Sequence, residues 1–252
     1  MLYTLYLYKD EEDLICVDEI VAYLQEKIGR AEVCIRPPFF KYFLSEEKYA
    51  GVARKMAEAR VKSLYQPTEV QPLPKEVEVE ERWLRRGRRS ILPYDGLKVM
   101  AVLRDLIPPE EKKMDCMHIV YTTILFGTYT DRYHARYMLC GFPDMISITG
   151  LVEAPARPRE YYTFPKHVSG GEWLEYGDKR LTKVAKGCTL RCLFYHLLEE
   201  GECMNKNCIL YNAHWQRELL SSAFLRGDLC PKHQRMLTLL KYKKIEKGKV
   251  PL

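Results

Sequence analysis

No apolar run in this chain approaches the roughly 20 residues that a membrane-spanning helix requires, so no bilayer crossing is expected. The opening stretch MLYTLYLYKDEED lacks a basic lead-in and a small-residue cleavage site, which argues against a secretion signal and for a cytoplasmic protein. A strong charge of either sign is also missing. Forty Lys and Arg stand against 34 Asp and Glu, a mild excess of +6 that permits acidic partners without demanding them. There is no internal repeat. Apolar residues at 47% of 252 residues are enough for a substantial core, in one large α/β domain or two small ones. The one dense cationic cluster is RWLRRGRRS (82–90), five arginines around a tryptophan. It reads either as a nucleic-acid contact or as an arginine-rich solvated linker.

Cysteine is the residue type in surplus. Nine is an odd number, and without a secretion signal a disulfide framework is less expected than metal binding or burial. Cys16, Cys34, Cys116 and Cys140 stand singly in apolar or mixed segments and read as small buried hydrophobes. The other five crowd between positions 188 and 230.

The coarse pattern is α/β or α+β, a mixed sheet with packed helices. LYTLYLY, VDEIVAYLQEKI and AEVCIRP spell strand, helix and strand, ended by Pro37–Pro38. Residues 45–64 read as a helix with Ser45 at its N-cap, and residues 67–90, rich in proline and charge, as a linker or insertion. YDGLKVMAVLRDLI starts afresh as an amphipathic helix capped by Asp95. Strand-like runs follow in DCMHIVYTTILF and RYHARYMLCGFPDMISITGLV, and then a Pro/Gly-containing loop in APARPREYYTFPKHVSGGEW. Residues 179–198 form a helix apolar on more than one face and therefore buried, and two short helices close the chain. The expected division is 1–66, 67–90 and 91–252, with a small helical lobe at the C-terminus.

Cys203, Cys208, Cys230 and His233 form a C-x4-C…C-x2-H set. Two short-spaced pairs deliver four soft or borderline donors at low entropic cost, which is what a tetrahedral structural zinc needs. The intervening MNKN is polar and turn-forming, and Pro231 stiffens the second pair. A second set lies upstream. Cys188, Cys192 and His196 are spaced four apart on one face of the buried helix, a spacing at which side chains stack and can share a metal. The alternative is that these cysteines are core residues and His196 bonds a backbone group.

The order of these pieces resembles the archaemetzincin family of zinc peptidases over roughly residues 90–240. That family carries H-E-x-x-H-x-x-G-x-x-H-C-x4-C-x-M followed by C-x-x-C. Here Cys203-MNKN-Cys208-Ile-Leu210 matches the C-x4-C-x-M part with leucine for methionine, and Cys230-Pro-Lys-His233 matches the closing pair. YDGLKVMAVLRDLIP, MHIVYTTILFGTY and YHARYMLCGF fall in the order of the elements that precede the family's active-site helix. The resemblance implies a metzincin-like core with one structural zinc. In the same register the catalytic motif falls on residues 192–202. His196 alone matches, Cys192 and Glu202 replace the other two histidines, Glu199 replaces the glycine, and Leu193 replaces the general-base glutamate. Cys188, Cys192, His196 and Glu202 are thus the candidate ligands of a second zinc, and Glu199, Glu200, His134 and His167 the candidate sources of a substitute base.

Three functions follow as expectations. The first is a zinc protein of metallopeptidase ancestry that lacks ordinary peptidase activity and acts by binding a protein or peptide. The second is a divergent peptidase with a rearranged metal site. The third is a nucleic-acid-associated zinc protein that uses the 82–89 arginines. Whether the chain is an enzyme stays open at this level.

Overall fold

The computed structural model describes residues 3–29, 31–68, 71–87, 93–153, 173–213, 216–220, 225 and 227–242. Strand β1 (Thr4–Tyr8) leads into helix α1 (Val17–Ile28) and strand β2 (Glu32–Arg36), which pairs parallel to β1 with Thr4 opposite Glu32. Val17, Ile20, Leu24 and Ile28 form the buried stripe of α1. Gly29, at φ 71°, closes that helix in the left-handed conformation and returns its N–H to the Gln25 carbonyl. Helices α2 (Phe39–Phe43), α3 (Tyr49–Glu58) and α4 (Pro74–Arg86) follow. After them come strand β3 (Pro93–Asp95) and helix α5 (Gly96–Leu106).

The strands of the second half are β4 (Cys116–Thr122), β5 (Leu125–Tyr129), β6 (Tyr133–Arg136), β7 (Met138–Leu139) and β8 (Asp144–Ser147). Helices α6 (Ile148–Val152), α7 (Arg180–Leu198), α8 (Gln216–Leu219) and α9 (Pro231–Tyr242) complete the described chain. Among the described residues no helix is long and apolar enough to cross a membrane.

The main sheet has the order β2-β1-β4-β8-β7, parallel except for β7, and a smaller sheet has the order β3-β5-β6. Because β1 pairs with both β2 and β4, residues before 66 and after 91 share one sheet. Alternation along the strands sorts the core into two layers. Leu5, Leu7, Ile119, Tyr121 and Ile146 face α1 and α7, while Tyr8, Val120 and Met145 face α2, α3 and α5. The architecture is therefore mixed α/β with helices on both faces of the sheet.

Several sequence expectations change here. The segment 67–90 read as a linker contains the thirteen-residue helix α4, which packs against α3. Its apolar content is low, and the side chain it buries is Glu80. Tyr94 donates to Glu80 at 2.8 Å and Arg60 donates through Nε, so a polar network holds this helix where apolar periodicity gives no signal. Part of the arginine cluster lies on this helix, where Arg85 donates to Glu46 and Glu81 and stacks on the Tyr49 ring at 4.2 Å. Residues 88–90 lie outside the described residues, as do 154–172 of the loop 154–173. Ser45 precedes a short 3-10 turn, Glu46–Lys48, without a capping bond, and α3 begins only at Tyr49. Asp95 caps α5 as expected, accepting from the N–H groups of Leu97 and Lys98. Of the four cysteines read as buried, Cys16 is exposed and Cys34, Cys116 and Cys140 are half-buried, because they sit at a helix entrance, on the edge strand β2, at a strand start and in a turn.

Candidate metal centres

Cys203 and Cys208 lie on a turn just past the end of α7. Cys203 donates its N–H to Leu210 O at 2.8 Å and accepts from Asn212 N at 3.0 Å, and Cys208 N bonds Asn205 O to close the loop between them. Cys230 precedes α9, where Pro231 occupies the first helical position and His233 falls in the first turn. The Ile209 N–H to Asp228 O bond, 2.7 Å, ties the two loops together.

The four side chains are buried, and their donor atoms lie within 4.8 Å of one another. Cys203 Sγ is 3.9 Å from Cys230 Sγ, and His233 Nδ1 is 3.5 Å from Cys208 Sγ and 3.1 Å from Cys230 Sγ. A zinc tetrahedron with ordinary Zn–S and Zn–N lengths has edges of roughly 3.8 Å between sulfurs and 3.5 Å between sulfur and nitrogen. Two of the observed separations match those edges and the third is a few tenths short.

The outer face of His233 supports the same assignment. Its buried Nε2 has no hydrogen bond, and the nearest carboxylate, Glu200, is 3.7 Å away. This leaves Nδ1 turned to the sulfurs and the other ring nitrogen turned to an acid, the usual arrangement behind a metal-bound histidine. Burial pushes the Cys208 thiol up and the His233 imidazole down. Burial alone would also raise Cys230, but the His233 N–H and the thiols of Cys208 and Cys203 outweigh it and leave that thiol below its ordinary value. The donor set fits zinc in a closed, four-ligand site.

The upstream set does not assemble as expected. Cys188 is enclosed in the core, and Glu202 points outward, accepting from Arg191 and, at 2.7 Å, from Asn212 Nδ2. Cys192 meets two residues of the main sheet's far edge, Cys140 and Asp144, and the three donor atoms lie within 4.8 Å of one another. His196, one turn further along α7, donates from Nε2 to the Asp144 carboxylate at 2.9 and 3.0 Å. Burial raises the Asp144 carboxyl against the pull of His196, while for His196 the Asp144 bond and charge overcome burial and raise the imidazole. The Cys192 thiol is driven well above its usual value, first by the Cys140 thiol and then by burial.

Cys140 and Asp144 were not legible as site residues. Their signal is a C-x3-D spacing across a turn, 48 residues or more from Cys192, and only the sheet brings it under the helix. Leu193, where the sequence resemblance places the general base, is 3% exposed and belongs to the core. Glu199, at the glycine position, closes α7 with φ 54°. Of the candidate substitute bases, His134 bonds Asp131 and Glu200 bonds Lys232. Glu199 borders a cavity of about 600 Å³ that Cys140, Arg136 and Arg191 also line, and His167 lies outside the described residues.

The crystal structure of archaemetzincin from Methanopyrus kandleri is similar to this chain at 13% sequence identity and a TM-score of 0.46, with 95% of each chain covered. No curated protein matches. The family described as "Probable metallopeptidase family (DUF6775)" matches residues 1–240. With all but the last twelve residues inside that match, the chain belongs to this probable metallopeptidase family.

Proposed function

We propose that this member of the metallopeptidase family keeps a structural zinc and acts by binding a protein or peptide, without hydrolysing peptides by the family's route. The observation that carries the proposal is Leu193. A peptidase needs a group beside the metal that takes the proton of the bound water and hands it to the leaving amine, and a glutamate at this point of the helix does so in the family the sequence resembles. Here the position is apolar and packed into the core. The replacement for the third histidine, Glu202, is committed to Arg191 and Asn212.

Cys203, Cys208, Cys230 and His233 would hold the zinc. Four protein ligands leave no open position, which makes the role structural. The ion would join the end of α7 to the start of α9, two parts of the chain linked among the described residues by the Ile209 N–H to Asp228 O bond. A bound peptide would lie in the cavity between the C-terminal end of α7 and β7, whose outer side is an edge of the main sheet. The test is a search for zinc-dependent cleavage with His196→Ala as control. Equal backgrounds support the proposal, and cleavage that His196→Ala removes overturns it.

A further inference from the structure

The residues that meet Cys192 make an unusual combination for a core. Cys140 follows β7 and Asp144 opens β8, so a short hairpin turn fixes both, and the Gly141 N–H holds Asp144 Oδ1 at 2.9 Å. Helix α7 crosses β8 and lowers Cys192 onto the pair. Asp144 is 1% exposed and Cys192 fully buried. An ion pair with His196 would account for Asp144 alone. It does not account for two thiols that converge on the same buried carboxylate, three donor atoms within 4.8 Å of one another. A divalent cation would draw on all three at once, and two sulfurs with one oxygen suit zinc.

We propose that Cys140, Cys192 and Asp144 form a second zinc site, with His196 as the positioning residue that orients the Asp144 carboxylate. Ligating carboxylates are commonly held in turn by an outer hydrogen bond of this kind. The site differs from the one expected from sequence. Of Cys188, Cys192, His196 and Glu202 it keeps only Cys192 as a ligand, and it recruits two residues from the sheet edge. Cys140, which lines the cavity of about 600 Å³ at the end of α7, marks the side from which the ion would enter. Three protein ligands leave the fourth position to solvent. The inference does not depend on whether the chain cleaves peptides, because metal content and cleavage are separate readouts.

The experiment is metal stoichiometry on the full chain, reduced, saturated with zinc and freed of excess. The wild type should carry one zinc per chain more than Cys140→Ser or Cys192→Ser, and Glu202→Gln and Cys16→Ser should match the wild type. His196→Gln should keep the ion but weaken it by about 10–100-fold. Replacement by cobalt should give thiolate-to-metal absorption that falls in Cys140→Ser without disappearing, since the three-cysteine site remains. Should Cys192→Ser fail to fold, Cys140→Ser, half-buried in a turn, decides the matter. Equal zinc and equal cobalt spectra in the wild type and Cys140→Ser would overturn the site. So would a Cys140–Cys192 disulfide whose reduction brings no uptake of metal.

Discussion

Single residues decide whether the proposed zinc is held and whether peptides are cleaved. Cys208 is fully buried among the other donors of the closed site. Cys208→Ser is expected to release that zinc and lower the melting temperature by about 10 °C or more, since metal binding contributes directly to folding and about 2–4 °C accompanies each kcal/mol at this size. Calorimetry with parallel metal analysis checks it, and an unchanged melting point with unchanged zinc would count against the site. Glu199 makes a different prediction. It holds a left-handed φ of 54° that an L side chain adopts only under strain. Glu199→Gly should raise stability by about 0.5–1 kcal/mol, read from urea midpoints. The four-ligand set was legible because its donors come as short-range pairs with turn residues between them. Asp144 was not, because nothing local to PDMIS marks an aspartate that will meet Cys192 and His196 much further along the chain.

At the scale of elements, the readable parts are those that bury an apolar stripe. Helix α1, strand β4 and helix α7 follow from periodicity and apolar runs. Helix α4 does not, because its hold on the molecule is the Glu80–Arg60–Tyr94 network and because prolines at its entrance imitate a linker. A second polar tie fixes the end of β2. Arg36 donates two bonds to Glu111, at 2.8 and 2.6 Å, and stacks over the Tyr6 ring at 3.8 Å. The Arg36 bonds hold the Glu111 carboxyl below the ordinary glutamate value against opposing burial. A carboxyl lowered in the folded state stabilises fully above its unfolded value, near pH 4.3, and loses that contribution as pH falls through the folded value. Glu111→Gln should therefore cost about 1–3 kcal/mol near neutral pH, and the difference from wild type should shrink below about pH 4. Denaturation midpoints measured across that range check it. A constant difference at all pH values would remove the ion pair as the cause.

For the whole molecule, one sheet carries both residues 4–8 and the elements around the candidate metal sites. Sequence left open whether residues before 66 stand apart, since strand pairing between β1 and β4 spans more than a hundred residues and no local pattern encodes it. The same pairing places α7 over the β7–β8 hairpin and makes the site region a property of the complete fold. Family membership supplies the expectation of hydrolysis, and the interior of α7 argues against it at Leu193. The most direct measurement exposes a broad mixture of unstructured peptides to the zinc-replete chain and looks by mass spectrometry for new termini. The account predicts that the wild type and His196→Ala leave the mixture equally intact from mildly acidic to mildly basic pH. New termini produced by the wild type, abolished by chelation and absent with His196→Ala, would contradict it.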